Sequence, residues 1–378
     1  MQSAGKQLRS IWPGDDRARV HIIDQTLLPH ELTIVTISTL SGAARAIETM
    51  QVRGAPLIGV TAAYGVALAM RADPSNANLN AAMSRLAATR PTAINLRFAL
   101  DAMCEHLLTL PESSRAEAAF DRASALAVED AKLCHDIGVH GLGLIQDLAK
   151  NKKIGEPVNI LTHCNAGWLA TADWGTATAP MYMAHDEGIA LHVWVDETRP
   201  RNQGAALTAW ELDQRGVPCT IVADNAAGYL MHAGKVDLVI VGTDRTTASG
   251  DVCNKIGTYL KALAARDNGV PFYAAVPSPS IDFSLESGAK IPIETRAARE
   301  VTHMSGLSAA GRRETIAVAR PGANAFNPAF DVTPARLVTG LITERGVVAA
   351  SREALAQAFP ERSGHAPLMP AASRAARF

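Results

Sequence analysis

From Val158 onward, short apolar runs alternate with segments of helix length, and that alternation leaves a chain few options beyond a parallel sheet flanked by helices. Five runs stand out, at 158–161, 189–195, 218–222, 236–241 and 271–276. Most are apolar nearly throughout, as strands covered on both faces must be. Between them, residues 168–187, 204–215, 226–233 and 255–267 have the length of crossover helices. Gly188, Gly216, Gly234 and Gly269 follow where a helix C-cap favours a left-handed residue. The predicted fold class is therefore α/β with a parallel sheet.

In such a sheet the carboxyl ends of the strands open onto one crevice, so residues delivered there by separate strands can meet a single ligand. Two of the apolar runs lead straight into reactive side chains. The first enters Thr162-His163-Cys164-Asn165 and the fourth enters Gly242-Thr243-Asp244-Arg245. Asp196-Glu197, Asp224-Asn225 and Pro277-Ser278 end the others, giving a rim rich in acids and amides. Which strand ends are neighbours is not written in the sequence.

The first 150 residues have a different texture, with β-like runs at 20–23 and 32–37 and helical patterns from 41 to 150. A small sheet plus a helical bundle is expected. The polar stretch 151–157, closed by Gly155 and Pro157, is the expected boundary. The division is 1–150 for the smaller N-terminal domain and 151–360 for the sheet domain, which takes in a last element at 336–342. The Ala-, Pro- and Arg-rich end, 361–378, is expected to be a flexible tail.

Charge narrows the partners. The chain has 36 Lys plus Arg against 37 Asp plus Glu, scattered without long tracts, so neither nucleic acid nor a membrane surface is an expected partner. Cys104, Cys134, Cys164, Cys219 and Cys253 are odd in number and lack a Cys-x-x-Cys pair, which predicts reduced thiols and a cytoplasmic protein. The N-terminus lacks the layout of a secretory signal. The uncharged stretch between Arg53 and Arg71 is Ala- and Gly-rich and falls short of the roughly 20 strongly apolar residues that span a bilayer. It reads as a buried helix.

Cys164 follows a strand and precedes a helix predicted from about Gly167, whose free N–H groups would favour a thiolate. An isolated cysteine is as readily a small buried hydrophobe, and an isolated Asp such as Asp244 after a strand is as readily an Asx turn. Arg53-Gly54-Ala55-Pro56 sets an Arg before a helix-starting Pro, and Arg90-Pro91 repeats the arrangement. Asn254 and Lys255 are placed at the start of a third helix. Basic residues at three helix starts point to a phosphate held at a cleft between the domains. No Gly-x-x-x-x-Gly-Lys-Ser/Thr string is present, and the glycines of 138–143 have the wrong spacing and a helical context, so no nucleotide cofactor is expected. No His-Glu-x-x-His pattern occurs, and no metal is expected.

Seven ordered strings closely resemble the S-methyl-5-thioribose-1-phosphate isomerases of methionine salvage, in the superfamily that also holds regulatory subunits of translation initiation factor 2B. They are those beginning at Arg53, Arg90, Thr162, Asp196, Gly242, Gly250 and Asn327, and they cover nearly the whole chain. The resemblance implies a Rossmann-like C-terminal domain without dinucleotide, a homodimer, and interconversion of 5-methylthioribose 1-phosphate and 5-methylthioribulose 1-phosphate. It implies that Arg53, Gly54, Ala55, Arg90, Gln203, Asn254 and Lys255 bind the sugar phosphate, with Cys164 and Asp244 in the catalytic centre. Thr243, Ser249 (in the string Ala248-Ser249-Gly250-Asp251) and Trp168 depart from the family pattern and are expected to reshape the pocket. The alternatives are isomerisation of a related pentose 1-phosphate, such as 5-deoxyribose 1-phosphate or ribose 1,5-bisphosphate, and a non-catalytic regulatory subunit.

Overall fold

The computed structural model describes residues 2–3 and 6–363, so residues 364–378 of the expected tail lie outside the described residues. Strands β1 (Ile11–Pro13), β2 (Val20–Ile23) and β3 (Ile34–Ile37) form a small antiparallel sheet in that order. The first of them is too short to show an alternation in sequence. Thr39 then caps helix α1 (Leu40–Glu48), its hydroxyl accepting from the Gly42 N–H at 3.0 Å. Helices α2 (Ala55–Ala72), α3 (Asn76–Ala87), α4 (Ile94–Leu108) and α5 (Glu112–Ala149) complete the bundle.

Helix α2 is its axis. By length and hydropathy it could cross a membrane, but 83% of it is buried inside the fold. Its small side chains let α1, α3, α4 and α5 pack around it. Helix α5 runs on beyond the bundle, and its Ile137 and Ile145 belong to the core of the sheet. Two of the glycines of 138–143 have a packing role here: a Cβ at Gly138 would lie 2.6 Å from Met183 Cε, and one at Gly141 would overlap Pro180.

The rest of the chain supplies β4 (Val158–Thr162), α6 (Ala179–Asp186), β5 (Leu191–Asp196), α7 (Ala209–Gln214), β6 (Cys219–Val222), α8 (Ala226–His232) and β7 (Leu238–Val241). There follow β8 (Arg245–Thr247), β9 (Val252–Lys255), α9 (Thr258–Asp267), β10 (Phe272–Ala275) and β11 (Ile281–Asp282). The last strands are the hairpin β12 (His303–Leu307) and β13 (Arg313–Ala317), then β14 (Phe330–Thr333), β15 (Gly340–Thr343) and β16 (Gly346–Val348). The main sheet has the order β16-β15-β10-β7-β4-β5-β6, parallel except for the β16 edge. Without that edge the six strands follow the order 3-2-1-4-5-6 of the doubly wound Rossmann sheet. A second sheet, β11-β8-β9-β14, takes its two central strands from the segment between β7 and α9 and its two outer strands from beyond α9.

All five expected strands form, and Gly188, Gly216, Gly234 and Gly269 have φ of 75°, 71°, 65° and 68°. Three helix expectations fail. Residues 168–187 hold only one 3-10 turn (Trp168–Ala170) before α6 begins at Ala179. There Thr171 donates its hydroxyl to Asp173 O at 2.7 Å and Glu211 takes the Trp168 and Leu169 N–H groups, a set of side-chain bonds that replaces the helical ladder. Asn254 and Lys255 end strand β9 instead of starting a helix, because Val252–Lys255 pairs with Phe330–Thr333. Helix α9 begins beyond Gly257, capped from far away by the Asp331 carboxylate, which accepts from the Gly257 and Tyr259 N–H groups at 2.7 and 3.1 Å. Arg90-Pro91 lies in a turn closed by Ala93 N–H to Arg90 O at 3.0 Å, and α4 starts only at Ile94.

The glycine run yields a paired prediction. Gly143→Ala meets open space and should stabilise the protein by up to about 1 kcal/mol through helix propensity. Gly141→Ala should destabilise it by about 1–3 kcal/mol through overpacking against Pro180. Urea unfolding midpoints of the two variants check both signs.

Candidate active site

Strands β4 and β7 are adjacent, with Ile160 opposite Leu238 and Leu161 opposite Val239. They are first and fourth in chain order, so their crossovers depart in opposite directions and leave a crevice at their carboxyl ends. Cys164 and Asp244 follow these two strands into it.

Cys164 is buried and held in a left-handed conformation, φ 68°. Its N–H donates to Thr198 Oγ1 at 2.8 Å, and its carbonyl accepts from Thr208 Oγ1 at 2.7 Å. The expected helix start directly after it is absent, so the thiol does not sit at the N-terminus of a helix of its own segment. Burial pushes the Cys164 thiol up, against the opposing pull of Arg53 and Lys255. His163 does not serve Cys164. Its Nδ1 meets Asp196 Oδ2 at 3.0 Å and its Nε2 meets Ile256 O at 2.9 Å. Asp244 donates its N–H to Cys253 O at 2.9 Å, while its half-buried carboxylate receives no hydrogen bond from any described residue.

The other wall is basic. Arg53 donates through Nη1 to Asn165 Oδ1 and through Nη2 to Asn165 O at 2.8 Å. Gly54 caps α2 with φ 96°, and a Cβ there would lie 2.5 Å from Ala170 O, so only glycine lets the helix start dock on that loop. Lys255 Nζ donates to Ala329 O at 2.9 Å and stands 4.7 Å from the Phe330 ring centroid. Burial brings the Lys255 ammonium down to about 8. Arg90 pairs with Glu294 at 3.3 Å. Gln203 Oε1 is buried without a partner, and Asn254 Nδ2 donates to Thr258 Oγ1 at 3.1 Å.

One cavity is lined by all nine residues named from the sequence: Arg53, Gly54, Ala55, Arg90, Cys164, Gln203, Asp244, Asn254 and Lys255. Thr243 lines it too, its hydroxyl 3.2 Å from Cys253 O, whereas Trp168, Ala248 and Ser249 are not among its lining residues. Arg296, Met50 and Phe330 also line it and were not read from the sequence. Arg296 lies in a stretch of mixed polar residues with no periodicity to mark it.

The residue that organises this region was also missed. Glu211 is fully buried on α7 and accepts from Trp168 N, Leu169 N, Asn165 Nδ2 and Tyr182 Oη at 3.0, 2.9, 2.9 and 2.8 Å. Burial pushes its carboxyl up, and the hydrogen bonds oppose that. Through Asn165 it fixes Arg53. Nearby, His163, Asp196 and Asp224 approach within metal-binding distance, within 4.8 Å of one another. Lys261 Nζ stands 2.9 Å from Asp196 Oδ2, and Asp224 accepts from Thr198 N and Arg199 N at 2.7 Å each, so protein donors already serve this cluster.

A model of the initiation factor 2 subunit family matches residues 51–350. The chain belongs to that family. The methylthioribose-1-phosphate isomerase of Methylocella silvestris is 64% identical over 363 residues, which are 96% of this chain and 99% of that protein. Among solved structures, the 5-methylthioribose 1-phosphate isomerase from Pyrococcus horikoshii is 38% identical with a TM-score of 0.80, over 94% of this chain and 97% of that one. The translation initiation factor eIF-2B subunit delta from A. fulgidus is 35% identical with a TM-score of 0.77, over 94% of this chain and 100% of that one. Isomerase and factor subunit share one fold, so the fold alone does not separate the two activities.

Glu211→Ala leaves four buried donors without their acceptor and is expected to cost about 3–5 kcal/mol, the range for breaking a buried charged network. Glu211→Gln, which keeps one acceptor oxygen, should cost less. Denaturant unfolding of the two variants checks the order.

Proposed function

We propose that the protein is an aldose–ketose isomerase that converts 5-methylthioribose 1-phosphate to 5-methylthioribulose 1-phosphate. The observation that carries this reading is the lining of the cavity, where a buried thiol and a carboxylate without a hydrogen bond from the described residues share one space with Arg53, Arg90 and Lys255. The names and high identity of the relatives support it.

A phosphate on carbon 1 locks the sugar as a ring with no free aldehyde, so the ring must be opened first. In our reading Arg53, Arg90, Lys255 and the backbone of Gly54 and Ala55 at the start of α2 seat the phosphate. Gln203 and Asn254 meet sugar oxygens. Asp244 in its protonated form gives its proton to the ring oxygen as the bond from carbon 1 breaks, and that oxygen becomes the 4-hydroxyl. Hydrogen then moves from carbon 2 to carbon 1, and the proton of the 2-hydroxyl returns to the Asp244 carboxylate as the ketone forms. Burial, which pushes the Cys164 thiol up, favours direct hydride passage past a neutral thiol over proton abstraction by a thiolate. Cys164 then shapes the wall against which the hydride moves.

Methylthioribose 1-phosphate, 5-deoxyribose 1-phosphate and ribose 1,5-bisphosphate supplied in parallel decide the substrate through relative kcat/KM. Asp244→Asn is expected to lower kcat by about 10²–10⁴-fold, as loss of a general acid does. Cys164→Ser, which removes no proton-transfer group in this reading, should lower it less. A folded Asp244→Asn variant with full turnover would refute the assignment. Product made in deuterium oxide should carry no deuterium at carbon 1; its entry there would sink the hydride route.

The Lys255 charge is lost as pH rises through about 8 in the ligand-free protein, because burial depresses this group from its usual range. KM for the sugar phosphate should therefore rise above that pH while kcat holds. Lys255→Arg should move this limb to higher pH, and an unchanged KM profile in that variant would remove Lys255 from phosphate binding.

A further inference from the structure

Arg296 lies outside the set of residues assigned above, yet its surroundings are those of a ligand-binding guanidinium. Its side chain is only 9% exposed, so its N–H donors need acceptors from within the fold. Nε and Nη2 donate to Glu294 at 3.1 and 3.4 Å. Among the described residues Nη1 has only the thioether of Met50, at 4.0 Å, and a thioether is a weak acceptor. Met50 and Arg296 both line the cavity, so this underused donor stands at its wall.

The charges around it are unbalanced. Arg296 Cζ lies 5.7 Å from the centroid of the Phe330 ring, and Lys255 Nζ lies 4.7 Å from the same centroid. Arg90 joins Glu294 from the other side at 3.3 Å. Two guanidiniums thus share one carboxylate, and the Lys255 ammonium stands with Arg296 at the same aromatic ring. Like charges this close and this buried repel unless an anion joins them, and Arg296 is, after burial, the largest influence lowering the Lys255 ammonium.

We propose that Arg296 is a further ligand of the substrate's phosphate, and that Glu294 is an internal stand-in that holds Arg90 and Arg296 in the empty site. The proposal rests on the sugar-phosphate reading above. It divides the segment 294–296 into one residue that binds the anion and one that competes with it. A substrate dianion would engage Nη1 of Arg296 and the free donors of Arg90 and Lys255 together, relieving the repulsion among them.

Titration calorimetry with inorganic phosphate tests the inference on the wild type, Arg296→Ala, Arg296→Lys and Glu294→Gln, alongside steady-state kinetics with methylthioribose 1-phosphate. Loss of a charged bidentate donor should weaken phosphate binding about 10–100-fold in Arg296→Ala and raise KM similarly with little change in kcat. Arg296→Lys should recover part of the loss. Glu294→Gln, relieved of the competing charge, should bind phosphate at least as tightly as the wild type. Wild-type affinity in Arg296→Ala, no saturable phosphate binding by the wild type, or a loss in Glu294→Gln equal to that in Arg296→Ala would overturn the proposal, the last by marking the pair as merely structural. Arg296-dependent phosphate binding without ketose formation would sink the isomerase reading and leave this one standing.

Discussion

The site depends first on the pairing of β4 with β7. Two residue pairs, Ile160 with Leu238 and Leu161 with Val239, hold the first and fourth strands side by side at the point where the sheet reverses its winding. Because the crossovers diverge there, the segments that follow must turn towards one another over the strand ends. They do so at close quarters. A Cβ at Gly242 would lie 2.5 Å from the Ala166 Cβ, so the absence of a side chain at 242 lets the Asp244 segment pass against the Cys164 segment. Sheet topology brings the thiol and the carboxylate together, and a local glycine sets how closely.

Adjacency alone would not hold the basic wall in register with these groups. That is the work of Glu211, whose two oxygens collect the Trp168 and Leu169 N–H groups, the Asn165 amide and the Tyr182 hydroxyl. Asn165 in turn holds Arg53 by both its side chain and its carbonyl. Ala170, on the same loop, meets Gly54 at the start of α2. The thiol, one guanidinium and one helix start are therefore tied to a single loop. A substrate bound there would meet groups whose ordering entropy was lost on folding, which is the physical content of preorganisation.

Much of the sheet was legible because its signals are local. Apolar runs of strand length and glycines after helices lie within a few residues of what they determine, and both read correctly. What escaped was carried by distant partners. Asp331 caps α9 from across the second sheet, so Lys255 reads as part of a helix when it ends a strand. Glu211 suppresses the helix expected after Cys164 from 43 residues away. Arg296 and Glu294 occupy a stretch with no regular pattern, and only folding brings them to Arg90 and Phe330. The site residues that were legible are those carried by motifs, while the residues that orient them are not in those motifs.

The loss of that helix changes where the proposed anion seat comes from. In a dinucleotide-binding sheet the first strand runs into a glycine-rich turn and its own helix, whose N-terminus receives the phosphate. Here the segment after β4 is irregular as far as Ala179, and the helix start that faces the crevice belongs to α2 in the N-terminal part of the chain. The proposed seat therefore requires α2 docked on the 163–171 loop, with Gly54 against Ala170 and Arg53 on Asn165. An anion that binds this assembled seat, and not the chain with α2 undocked, must stabilise the docking by its own binding free energy. On the proposed reading, affinity for phosphate and the packing of the N-terminal bundle on the sheet are two measures of one equilibrium.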